Sequence, residues 1–161
     1  MALINVRTTV EDDLPAIFEL GRTMRAESVI PFPEIDENAA RDTLALLDDF
    51  YFIAVAEVAN TDPAPRKTGN EIIGMFTAQL NRYAFSQEFF AQHDIFYVHP
   101  DWRGTRAALL LVKAFESWAQ ECGLTRALLS VHSGLFPERT GRFYKKLGYR
   151  PMGGNFMKEL D

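Results

Sequence analysis

The chain has 161 residues, 47% of them apolar and 24% charged, with a formal net charge of −5, which suits a single globular domain over residues 1–161. No apolar run approaches the roughly 18 residues of a membrane span, and the N-terminus turns acidic before any apolar stretch develops, unlike a secretory signal. The negative balance argues against a nucleic-acid binder held by phosphate contacts. With Cys122 as the only cysteine, an internal disulfide and a cysteine-cluster metal site are excluded, and a reducing, cytoplasmic setting is expected.

Ile4 to Thr8 reads as a first strand. Thr9, followed by Glu11 and Asp12, has the form of an N-cap with an acidic first turn, and Leu14, Ile17, Phe18 and Met24 continue at helical spacing to about Ala26. Two prolines around Phe32 make SVIPFPEID a bend, and a second helix is expected from Glu37 to Leu47. Phe50 to Val58 and Glu71 to Leu80 are β-branched and aromatic runs joined by the polar loop NTDPAPRKTGN, the pattern of an antiparallel hairpin. FSQEFFAQ fits either a loop or a helical turn, and Gln92 to Val98 reads as the next strand. After a tight turn comes a long helix with Leu111, Phe115, Trp118 and Cys122 on one stripe, ended by Gly123. Ala127 to Val131 reads as a buried-type strand, Pro137 to Leu147 as a shorter helix stopped by Gly148, and Tyr149 to Glu159 as a closing strand interrupted by Gly153 and Gly154. The order β-α-α-β-β-β-α-β-α-β implies an α/β fold, a mixed sheet with helices on both faces and a parallel crossover at the tight turn.

That turn, within VHPDWRGTRAALLL, aims backbone N–H groups and the positive end of a helix dipole at whatever lies above it. A phosphate or pyrophosphate suits such a place, although most strand–turn–helix connections offer the same groups only to water. His93, His99 and His132 are scattered without ligand spacing, so no metal site is expected.

VHPDWRGTRAALLL resembles the acyl-CoA-binding signature of the GNAT N-acetyltransferase superfamily, Q/R-x-x-G-x-G/A. GRFYKKLGYRPMG resembles the same superfamily's C-terminal F-Y-x-K-x-G-[FY] signature, and TVEDDLPAIFEL its N-terminal strand–helix unit. The resemblance spans nearly the whole chain and implies a GNAT-like, mostly antiparallel sheet. It implies acetyl-CoA as cosubstrate, with Arg103 at the first motif position and Gly104, Thr105, Arg106, Ala107 and Ala108 supplying backbone N–H groups to the pyrophosphate. Val98 would pair through its backbone with the pantetheine arm. Arg106 stands where the family has glycine, so its side chain either contacts phosphate in a bidentate way or blocks its approach.

By the same resemblance Tyr144 matches the tyrosine that protonates the departing thiolate; the alternative is that Phe143 and Tyr144 are both core aromatics. The base expected to deprotonate the acceptor amine is Asp94, placed by strict alternation on one face with Phe96 and Val98 and with His93 on the other face; His93 and Glu88 are second choices. Ser133 is a candidate polar contact to the cofactor, Glu138 and Arg139 read as solvated helix positions, and Phe32, Phe85, Phe89 and Phe90 are candidates for an acceptor pocket. The implied activity is acetyl transfer from acetyl-CoA to a primary amine, on a small molecule or a protein, by direct attack in a ternary complex. A non-catalytic CoA-binding or assembly module that keeps the fold is the alternative, and a homodimer through the C-terminal strands follows by family analogy.

Overall fold

The computed structural model describes residues 3–30, 32–45, 50–59, 70–158 and 160. Five strands form one sheet in the order β1-β2-β3-β4-β5: β1 Ile4–Thr8, β2 Tyr51–Val58, β3 Glu71–Arg82, β4 Phe89–Val98 and β5 Ala127–Leu128. The first four are antiparallel neighbours, and β5 joins β4 in parallel. The helices are α1 Leu14–Glu27, α2 Glu37–Ala45, α3 Ala107–Glu121 and α4 Pro137–Lys146. The hairpin loop over residues 60–69 and the expected end of the second helix lie outside the described residues.

Alternation along the strands sorts the core into two layers. Phe52, Ala54 and Ala56 of β2 with Phe76 and Ala78 of β3 meet Leu111, Val112 and Phe115 of α3 on one face. Met75 and Tyr97 meet Leu20, Ile17 and Met24 of α1 on the other. The helices thus cover both faces, as the sequence order implies. Leu111 and Phe115 of the expected stripe are fully buried, and Trp118 stacks on Phe52 at 5.3 Å between ring centroids. Each such side chain taken from water contributes about 1.5–3 kcal/mol. Both helices flanking β5 end as the sequence suggests: Gly123 N–H bonds Gln120 and Leu124 N–H bonds Ala119, while Gly148 N–H bonds Lys145 and Tyr149 N–H bonds Tyr144.

Three expectations need correction. Thr9 does not cap α1: its hydroxyl is buried without a hydrogen-bond partner. Instead a single 3-10 turn, Glu11–Asp13, precedes the helix, and the Asp13 carboxylate accepts from Val10 N–H at 2.9 Å and from Arg7 at 2.7 and 2.8 Å. Arg7 also donates to the buried Glu57 at 3.0 Å, so one guanidinium ties β1, β2 and the start of α1. The strand expected from Ala127 to Val131 pairs over only two residues. No strand forms among the described residues after Tyr149, because Pro151 has no N–H to donate and Gly153, at φ +131°, turns the chain out of the extended region.

Candidate active site

The shortness of β5 creates the site. β4 and β5 pair only at Ala91–Ala127 and Gln92–Leu128, and then part. Beyond that point side chains span the gap: Ser130 N–H donates to His93 Nδ1 at 3.1 Å, and the Tyr144 hydroxyl donates to the Ser130 carbonyl at 3.3 Å. A cavity of about 780 Å³ opens where the strands separate and reaches from the turn before α3 to the bend after α1.

A bulge in β4 decides which side chains face which way. Ala78 of β3 opposes His93 while Thr77 opposes Ile95, so Asp94 is an extra residue in the ladder. His93 and Phe96 therefore both pack on Phe76, at 5.9 and 5.2 Å, on the α3 face. Asp94 instead accepts from Gln79 Nε2 at 3.2 Å, on the face that carries α1. The strict alternation expected from sequence, which put Asp94 with Phe96 and Val98, is corrected: His93 takes that place.

The candidate bases separate accordingly. Asp94 lines the cavity, and crowding by the protein holds its carboxyl above the usual carboxylate range, against the opposing pull of His132 and Gln79. His93 is 3% exposed; burial, helped by His132, lowers its pKa to about 4, so the ring is neutral, and its Nδ1 is occupied by Ser130. It acts as a strut between the parted strands. Glu88 pairs with Arg126 at 3.3 Å at the far end of β4 and does not line the cavity. Nor do Phe85, Phe89 and Phe90, whereas Phe32 does.

Tyr144 sits at the inner end of the cleft, 7% exposed and stacked on Phe96 at 6.4 Å. Burial raises its pKa, which keeps the phenol protonated. At the outer end, the turn into α3 places Gly104 at φ +87°, a conformation that side chains disfavour, with only the Arg139 guanidinium near where a Cβ would lie. Thr105 Oγ1 accepts from Ala107 N–H at 3.3 Å. The N–H groups of Ala108 and Leu109 face no carbonyl within α3, as first-turn donors do not. Arg106 is the exposed N-cap residue, outside the cavity lining and without an ion pair among the described residues. Ser133 lines the cavity, its hydroxyl accepting from Leu135 N–H at 3.3 Å.

Arg103 is engaged in an arrangement the sequence did not suggest. Its guanidinium forms a two-pronged ion pair with Glu27, at 3.1 and 2.6 Å, and Nε donates to the Val98 carbonyl at 3.2 Å. The Tyr97 hydroxyl donates to the same carboxylate. The Arg103 pairing holds the Glu27 carboxyl below its usual range. These contacts lock the end of α1 to the turn. Arg139, expected on a solvated helix face, lines the cavity beside Gly104: its Nη2 lies 4.0 Å from where a Cβ at Gly104 would be. Only its position one turn into α4, upstream of the FYKKLGY segment, could have hinted at this.

A family model described as an acetyltransferase (GNAT) domain matches residues 48–151. The chain belongs to the GNAT acetyltransferase family. No curated protein matches the sequence of this GNAT domain significantly. Solved structures share its fold at low identity. Glucosamine-6-phosphate N-acetyltransferase from Arabidopsis thaliana superposes with a TM-score of 0.72 at 15% identity, over 99% of each chain. An aminoglycoside acetyltransferase from an uncultured soil metagenomic sample gives 0.72 at 18% identity, over 98% of this chain and 97% of that one. Ribosomal-protein-alanine N-acetyltransferase from Brucella melitensis gives 0.68 at 16%, over 98% and 99%. The matched span contains β4 with its bulge, the turn into α3 and Tyr144, but not α1 or the bend after it.

Proposed function

We propose that this protein transfers an acetyl group from acetyl-CoA to a primary amine, both bound at once in the cleft between β4 and β5. The observation that carries the reading is one cavity holding three features: a glycine-opened turn at the head of α3, a phenol on one face of the parted strands, and a carboxylate on the other. The turn suits the pyrophosphate, with the N–H groups of Ala108 and Leu109 and the guanidinium of Arg139 as donors. That Arg106, the departure from the family signature, stands outside the cavity lining supports this reading over a non-catalytic module.

Acetyl-CoA supplies an activated acyl carbon and a thiolate leaving group. Asp94, directly or through water, takes a proton from the ammonium, and its raised pKa suits that task. A backbone N–H of β4 on the cavity edge polarises the carbonyl. Asp94 passes that first proton to solvent. As the N–C bond forms and the C–S bond breaks, Tyr144 gives its proton to sulfur, and the second proton shed by the nitrogen returns through Asp94 and solvent to the phenol. The products are an amide, a free thiol and one proton released to the medium. The segment after Tyr149, which exposes Met152, Phe156 and Met157, supports a homodimer through this end of the chain, and the lone cysteine supports a cytoplasmic setting. Replacing Tyr144 by Phe tests the mechanism: kcat should fall by about 10²–10⁴ with acetyl-CoA affinity retained. Unchanged turnover would remove the acid role.

A further inference from the structure

The apolar lining of the cavity includes Met24, Ile30, Phe32, Ile35, Leu135 and Phe136, with the Arg103 guanidinium 5.9 Å over the Phe136 ring. This wall is held in place by specific contacts. Ile35 rests on α1 where Gly21 leaves room, since a Cβ there would lie 2.6 Å from Ile35 Cδ1. Arg25 Nε donates to the Phe32 carbonyl at 2.9 Å, and Val29 N–H donates to the Ser133 carbonyl at 3.2 Å.

Charge in the same space is sparse, with two carboxylates and two guanidinium groups on the lining. Among the described residues only Asp94 and Glu34 bring carboxylates to the lining, while Arg103 and Arg139 bring guanidinium groups. The Glu34 side chain is 90% exposed and lies 3.9 Å from Arg25. Glu27 is fully occupied by Arg103 and Tyr97. A polycationic acceptor would strip water from several ammonium groups with one inward carboxylate to answer them, and each unanswered ion costs several kcal/mol. An apolar body placed there gains about 25 cal/mol per Å² removed from water. The apolar wall also lowers the pKa of the amine, which favours the neutral nucleophile.

We infer that the acceptor is a primary monoamine carried on an aromatic or branched apolar group, its nitrogen at Asp94 and its body against Phe32, Ile35 and Phe136. This rests on the acetyl-transfer reading above and adds the substrate class. Most of the wall, from Met24 to Ile35, lies outside the matched residues 48–151, so the preference belongs to this chain's own elements.

The test compares 2-phenylethylamine and leucinamide with spermidine and kanamycin. Steady-state turnover with acetyl-CoA is measured for all four, together with calorimetric binding of acetyl-CoA to the protein and of 2-phenylethylamine to the protein–CoA complex. The monoamines should show kcat/KM at least about tenfold above the polycations, and Phe32→Ser should weaken 2-phenylethylamine binding about tenfold with acetyl-CoA affinity and thermal midpoint unchanged. If acetyl-CoA binds but a polycation is the better acceptor, or no monoamine is acetylated, the substrate class is wrong while the cofactor reading stands. If acetyl-CoA itself fails to bind at near-millimolar concentration, the acetyl-transfer reading fails and this inference with it.

Discussion

The strut at His93 makes the cleft sensitive to acid in a calculable way. The ring is 3% exposed, accepts from Ser130 N–H at 3.1 Å and stacks on His132 at 5.3 Å. Burial lowers its pKa from 6.5 to about 4 in the folded protein, while the unfolded chain takes up its proton near 6.5. Because the folded value is the lower one, the unfolded state binds more protons between the two. Stability is therefore whole above pH 6.5 and lost as pH falls, by up to about 1.4 kcal/mol per pH unit and about 3 kcal/mol in all. Asp13 and Glu27, whose carboxyls are held low by Arg7 and Arg103, act in the same direction but only below the ordinary carboxylate range. The loss of stability over the window from about pH 6.5 to 5 is thus assigned to His93, with about 2 kcal/mol at stake, while Asp94, whose carboxyl burial raises, acts in the opposite direction and is common to wild type and control. Urea unfolding at half-unit steps of pH reads it directly, with His93→Gln as control, since a glutamine amide oxygen can still accept from Ser130. The wild-type midpoint should fall across the window and the variant's should not. Equal pH slopes in the two proteins would refute the reasoning.

Asp94→Asn keeps an acceptor for Gln79 but no base, so kcat/KM should fall by about 10². The acidic limb of the pH–rate profile, which burial displaces upward from the carboxylate range, should vanish with it; a retained limb would assign it elsewhere. Glu27→Gln takes the charge partner from Arg103, and thermal unfolding should report a loss of about 1–3 kcal/mol. A loss below about 0.3 kcal/mol would mean that the pair behaves like an exposed one.

Local features carried most of the fold. The strand–helix opening, the hairpin of β2 and β3, the glycine-ended helices and the crossover turn are each set by neighbours within a few residues, and periodicity or capping chemistry exposes them. The bulge at Asp94 could not be seen that way: it arises where Thr77 and Ala78 meet β4, a property of two strands together, and it exchanges the faces of His93 and Asp94. The union of Glu27 with Arg103 joins residues far apart in the chain, and no spacing announces it. From sequence Arg139 reads simply as a solvated helix position; only the packing of α4 beside the Gly104 turn makes it part of the cleft. The segment after Tyr149 has strand-forming residues but lacks a pairing partner among the described residues, which pattern alone does not reveal.

Calorimetric titration of acetyl-CoA into the protein and its Gly104→Val variant tests most directly whether the cleft between β4 and β5 is an acyl-CoA site. Valine at φ +87° is strained by about 1–2 kcal/mol or more and puts a side chain beside Arg139. Saturable one-to-one binding to the wild type, weakened at least about tenfold in the variant, is the predicted result. Absence of binding to the wild type at near-millimolar acetyl-CoA, or equal affinity in a folded variant, would contradict it.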